Sequence, residues 1–185
     1  MPRVSNAQAA QNRERTVQAA ARLFRERGVD RVSVQDVMAA VGLTHGGFYR
    51  QFESKEALLN EATRYAYTSM VTDMSAGEAL VGARDEAQRS YIRSYLSPSH
   101  RDHPGSGCPT AGLVQDVARS GNTETHEILA SGVTEMAGWL DSEGHDGLVR
   151  ACAMIGALLV ARASSGTPLS DQVLERVSAA LTAAE

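Results

Sequence analysis

Along the first sixty positions, apolar side chains recur at helical rather than strand spacing. From Ala10 to Arg27 the set Val17, Ala20, Ala21, Leu23 and Phe24 returns every three or four residues, with arginines on the other side. That pattern predicts an amphipathic helix stopped at Gly28. Residues 1–9 show no such pattern and are expected to form a flexible N-terminus. Ser33 is placed to cap a second helix, Val34–Val41, whose buried face would be Val34, Val37, Met38 and Val41. Gly42 ends it, and Thr44 can cap a very short third helix running through Phe52. Ser54 opens a longer fourth helix, with Ala57, Leu58, Glu61, Ala62, Tyr65 and Ser69 down one side to about Ser75.

Further along, helices are expected over Arg84–Leu96, Cys108–Arg119, Thr123–Asp141, Asp146–Ser164 and Ser170–Ala183. Ser97–Gly107, rich in Pro, Gly, Ser and His, reads as a loop. The stretch Leu148–Ala163 is apolar nearly all round, which calls for burial on several sides. In a body this small, a partner subunit is a natural place for it. The pattern therefore predicts an all-α fold, with a three-helix N-terminal head over residues 10–55 and a helical body over 56–185.

Composition agrees with a helical chain. Aromatics are 5 % of the 185 residues, so strand stock is thin, while apolar residues reach 43 %, enough for a packed interior. The formal charge of −4 argues against a polyanion binder, but its distribution argues for one. Residues 1–60 hold nine basic side chains against six acidic; the remainder holds nine against sixteen. A positive head on an acidic body suits contact with nucleic acid, and scattered surface charge gives the same count. Two cysteines, Cys108 and Cys152, make no disulfide framework, and no apolar run is long enough to span a membrane. A cytoplasmic protein is the simplest expectation. The chain carries no phosphate-cradling glycine loop, no Gly-x-Ser-x-Gly and no paired-histidine zinc signature, so neither an enzyme nor a cofactor is implied.

The most informative stretch is 33–52, SVQDVMAAVGLTHGGFYRQF. It has the layout of a helix-turn-helix: a short helix, a glycine turn, and a second helix offered to a major groove. Val37, Val41, Leu43 and Phe48 are spaced to hold the two helices together, leaving Thr44, His45, Gly46, Tyr49 and Arg50 outside. Thr44 and the N–H groups after it suit a phosphate, the Tyr49 hydroxyl another, and Arg50 or His45 can reach base edges. Gly46 and Gly47 would let the backbone approach the groove floor, at a cost of roughly 1 kcal/mol each in a helix. Lys55 opens the next helix at another phosphate position, and Ser33 and Gln35 front the first.

These residues resemble the DNA-binding head of TetR-type regulators. The likeness runs through Ala19-Ala20-x-x-Leu23-Phe24-x-x-x-Gly28, Ser33-Val34-x-Asp36-Val37 and Gly42-Leu43-Thr44-x-Gly46-x-Phe48-Tyr49-x-x-Phe52-x-Ser54-Lys55-Glu56-x-Leu58. The resemblance implies a repressor that binds double-stranded operator DNA as a homodimer and is released by a small-molecule effector. It implies a DNA-binding head and a ligand-binding, dimerising body whose last helices, about 146–164 and 170–183, pair with the partner's. By that likeness Thr44, Tyr49 and Lys55 meet the DNA backbone, and His45 and Gly46 lie over bases. The family's usual histidine before Phe52 is Gln51 here, and Met38 and Val41 stand where smaller residues are common. A helical module that binds another protein through the same surface is the alternative.

For the effector, Gly107-Cys108-Pro109 is the best clue, because a thiol at a helix N-terminus gains thiolate character. Cys108, with Tyr91 and Trp139, is therefore a candidate sensor or pocket group; a plain capping residue is the competing reading. Cys152, within the apolar helix, is expected to be core. His100 and His103 share a loop with Asp102 but lack a further paired ligand, so no metal is assigned.

Overall fold

The computed structural model describes residues 6–183. Helix α1 spans Asn6–Arg27 and is stopped by Gly28 at φ 83°, whose N–H reaches the Phe24 carbonyl. It starts ahead of the expected Ala10. Ala7, Gln8 and Ala9 are strong helix formers, and the Gln8 amide reaches Asn12 one turn on at 3.1 Å. Residues 6–9 of the segment expected to be flexible are thus helical; residues 1–5 of it lie outside the described residues.

Helix α2, Val34–Ala40, begins in a capping box. The Ser33 hydroxyl accepts from the Asp36 N–H at 3.1 Å, and the Asp36 carboxylate accepts from the Ser33 N–H at 2.8 Å. Ser33→Ala is expected to lower stability by about 1 kcal/mol, read by denaturant melts. An unchanged midpoint would show that Asp36 holds the cap alone. Gly42 leaves α2 at φ 72°, the left-handed turn that an L side chain resists.

The segment expected as a third helix through Phe52 is a 3-10 turn, His45–Arg50, and the Thr44 hydroxyl makes no capping bond. The reason is local. Two adjacent glycines weaken an α-helix, and so short a piece closes more readily with i→i+3 bonds. These run from Gly47 N–H to Thr44 at 2.9 Å and from Gln51 N–H to Phe48 at 2.8 Å.

Helix α3, Lys55–Val81, is capped by the Ser54 hydroxyl on the Ala57 N–H. It runs past the expected end near Ser75, to Gly82 at φ 73°. The body follows as α4 (Arg84–Tyr95), α5 (Pro98–Asp102), a 3-10 turn (Pro104–Ser106), α6 (Pro109–Arg119), α7 (Thr123–Leu140), α8 (Gly147–Ala163) and α9 (Pro168–Thr182). The stretch 97–107, expected as a loop, therefore holds two short helical pieces. Ser97 caps α5 on the His100 N–H, and Pro98 presets its first turn.

Two apolar cores are joined by α3. One gathers Leu23, Phe24, Val37, Met38 and Phe48 with Leu58, Leu59, Ala62 and Ala66 of α3, and takes in Leu113 and Val117 of α6. The other gathers Tyr67, Met70 and Met74, further along α3, with Ile92, Met136, Leu140, Met154 and Leu158. One rigid rod thus carries the head and serves as a wall of the body. One expectation for α8 needs correction: Cys152 is exposed, not core. Leu148, Val149 and Val160 are also uncovered within the protomer. Burial on one flank of α8 by Ala151, Met154, Leu158 and Ala161 leaves the opposite flank open.

Candidate nucleic-acid interface and effector cavity

The turn His45–Arg50 hangs from a single anchor. Phe48 is fully buried, stacks on Phe52 at 5.4 Å, and meets the Tyr49 ring edge-on at 5.1 Å. Phe52 is held in turn by the Arg13 guanidinium 4.7 Å above its ring, and Arg13 is paired with Glu61 of α3. Arg15 clamps the end of α2 by donating to the Val41 carbonyl at 3.0 Å. The scaffold under the turn is therefore tied from α1, α2 and α3 together.

What it presents is Thr44, His45, Gly46, Tyr49 and Arg50, all exposed, with Tyr49 at 65 %. None of their polar side-chain groups is engaged by another described residue; Tyr49 only meets His45 and Phe48 through its ring. A Cβ added at Gly46 would meet nothing within 4 Å, whereas one at Gly47 would touch Met38 and Thr44. Gly46 is the bare position and Gly47 half faces inward. Gln35 is exposed on α2. Two other candidate residues are partly committed. The Ser33 hydroxyl serves its own capping box, and the half-buried Lys55 ammonium donates to the Val29 carbonyl at 2.6 Å. That uses one of the three ammonium protons. Gln51 donates to the Gly47 carbonyl at 3.3 Å, while its side-chain oxygen is buried without a partner among the described residues.

Behind the head lies a cavity of about 890 Å³, bounded by α1, α3, α4 and the 97–108 segment. Cys108 and Tyr91 line it; Trp139 does not, sitting edge-on behind Tyr91 at 5.4 Å with its indole N–H on Glu78. Cys108 precedes α6 as its N-cap and is 4 % exposed. Its N–H donates to His100 Nε2 at 2.9 Å, so His100 carries its proton on Nδ1, which donates to the Tyr95 carbonyl at 2.7 Å. Burial pushes the His100 pKa down, keeping the ring neutral. With both nitrogens engaged, His100 is a structural brace. Among the described residues no group of three His, Cys, Asp or Glu could hold a metal ion.

Two arginines grip the 97–108 segment from opposite sides. Arg25 of α1 donates to the Gly107 carbonyl at 2.7 Å, and Arg162 of α8 to the His100 carbonyl at 3.0 Å. Burial lowers the pKa of both, and neither meets a carboxylate within ion-pair distance among the described residues. Sequence reasoning missed Arg25 as a cavity residue. Its signal was its place one turn beyond Ala21, on the edge of the apolar face of α1.

A family model of bacterial regulatory proteins, tetR family, matches residues 17–62. An uncharacterised HTH-type transcriptional regulator, Rv0196 of Mycobacterium tuberculosis, is 29 % identical over 70 % of this chain and 63 % of its own length. The HTH-type transcriptional repressor KstR2 of Mycolicibacterium smegmatis is 35 % identical over 31 % of this chain and 28 % of its own. The matches span from 19 % to 63 % of the length of the first curated relatives. Among solved structures, the reduced form of NemR from E. coli superposes with a TM-score of 0.78 at 19 % identity, covering 92 % of this chain and 95 % of that one. Among the described residues no helix is long and apolar enough to cross a membrane. With the helix-turn-helix layout at 33–52, residues 17–62 match the tetR family of bacterial regulatory proteins, and the helical chain around them shares the fold of solved TetR-family regulators.

Proposed function

We propose that this chain is a repressor that binds a palindromic operator as a homodimer and is released when an effector occupies the cavity behind the head. One observation carries the reading: the turn at 45–50 is anchored inside by Phe48 and presents unengaged Tyr49 and Arg50 side chains outside. Thr44, Tyr49 and Lys55 would meet phosphates, and His45, Gly46 and Arg50 the bases, with Ser33, Gln35 and Gly47 at the margin. Two such turns about 34–36 Å apart would match successive major grooves. The exposed flanks of α8 and α9 are the proposed dimer surface. An effector favouring another spacing shifts the population by its differential affinity alone. Small molecules enter through the cavity; an electrophile reaching Cys108 is the other effector class this geometry admits, tested by loss of its effect in Cys108→Ser.

A mobility shift on the chain's own upstream region, with polyanion competitor present, tests the reading. Arg50→Ala should weaken binding by about 1–3 kcal/mol and relax one base position, and Lys55→Ala should flatten the log K against log salt slope by about one unit. An unchanged slope would remove Lys55 from the phosphate contacts and leave it as the brace on Val29. A purified dimer that ignores every duplex overturns the proposal in favour of a protein-binding module.

A further inference from the structure

We propose that the ligand of this cavity is a small organic acid whose carboxylate is held by Arg25 and whose apolar or aromatic body lies against Tyr91 and Tyr95. This rests on the cavity being the effector site. The first observation is the charge at its wall. Arg22 is neutralised by Glu26 at 2.9 Å, whereas the half-buried Arg25 has no carboxylate partner among the described residues. Its bonds go to two carbonyls, Ala21 at 2.8 Å and Gly107 at 2.7 Å, leaving further N–H groups of the guanidinium fork unengaged. A guanidinium drawn partly out of water without a counter-charge is costly, and a carboxylate is the anion its planar fork matches with two parallel bonds.

The second observation is independent of that charge. The Tyr95 hydroxyl is buried and has no hydrogen-bond partner among the described residues, and the Cys108 thiol acts on it electrostatically. Tyr95 and Cys108 both line the cavity, so a ligand oxygen would satisfy a donor the protein leaves open. Size and shape agree. About 890 Å³ is room for a drug-sized molecule, and Tyr91 and Tyr95, 5.9 Å apart and tilted by 50°, with Met70 form the apolar wall.

The remaining ionisable groups restrict the ligand further. Asp73 lines the same cavity, exposed and, among the described residues, without a cation on it. It opposes a second negative charge, so the ligand is a monoanion, and it favours a hydroxyl or amino donor at the end away from Arg25. His100 is neutral and committed on both nitrogens, so it adds no charge. The carboxylate would compete with the Gly107 carbonyl for Arg25, whose bond ties α1 to the segment that leads into Cys108.

The test is calorimetric titration of the full chain, without DNA, by benzoate, 3-phenylpropionate and indole-3-acetate, each beside its carboxamide. At least one acid should bind about tenfold or more tighter than its amide, as expected when a charge-assisted pair replaces a neutral one. Arg25→Gln should erase that preference and Arg25→Lys should retain part of it. Tyr95→Phe should weaken both members of the pair. Amides matching their acids, an acid preference that survives Arg25→Gln, or no heat from any acid at millimolar concentration would each overturn the proposal. Should Arg25→Gln fail to fold, the acid–amide comparison on the natural chain decides alone. As no DNA enters the titration, its failure leaves operator binding standing, and failure to bind DNA leaves acid recognition readable.

Discussion

Phe48→Ala is expected to abolish duplex binding and to lower stability by about 3–5 kcal/mol, the range for removing a buried aromatic ring. The loss is large because Phe48 is 0 % exposed and joins three things at once. It fills the head core beside Met38 and Leu58, stacks on Phe52, and supports the Tyr49 ring from within. The turn it belongs to spans six residues and cannot hold its shape alone, since short helical pieces are marginal in water. With total stability typically about 5–15 kcal/mol, the head would sit near its melting point. Tyr49→Ala is the control. At 65 % exposure its removal should change stability by no more than about 0.5 kcal/mol while still weakening DNA binding. Denaturant melts and a mobility shift on the two variants separate scaffold from contact. If Phe48→Ala bound DNA as the natural chain does, the anchored turn would not be the reading element.

The head was legible because each of its boundaries is set by chemistry within a few residues. Gly28 and Gly42 both take positive φ, and Ser33 and Ser54 both cap through their hydroxyls. Where the sequence misled, the deciding contact was distant or the alternatives differed by little. An α-turn and a 3-10 turn at 45–50 differ by one hydrogen-bond partner, so the adjacent glycines and the shortness of the piece are enough to tip it. Ser97-Pro98 was a readable helix start, but the Pro, Gly and His around it read as loop. Arg25 could be placed on α1 from its spacing; that it faces Gly107, 82 positions away, follows only from how the head docks on the body. Cys152 failed for a related reason. A helix apolar on every side does not announce which side its own subunit covers.

That uncovered side yields the second large effect: if the proposed homodimer forms through it, Gly156→Arg should turn the protein monomeric while leaving each protomer folded. Val149, Cys152, Gly156 and Val160 fall three or four residues apart, so they form one stripe along α8, and all four are exposed. Val149 is 63 % exposed and Val160 46 %, and Leu169 at the start of α9 is 51 %. Apolar surface left open in such a contiguous band calls for a covering partner. The small residues at its centre, Cys152 and Gly156, would let a second helix approach closely, as packed helices do at about 8–10 Å. A Cβ at Gly156 would meet nothing within 4 Å in the protomer, so an arginine there has open space unless another subunit occupies it. Helicity and thermal unfolding of dilute protein should then change little, while the hydrodynamic mass halves. Operator affinity should drop by about a hundredfold or more, because the second half-site contact ceases to be intramolecular. A Gly156→Arg protein that remains dimeric at nanomolar concentration would place the two-fold axis elsewhere, and with it the spacing of the two recognition turns.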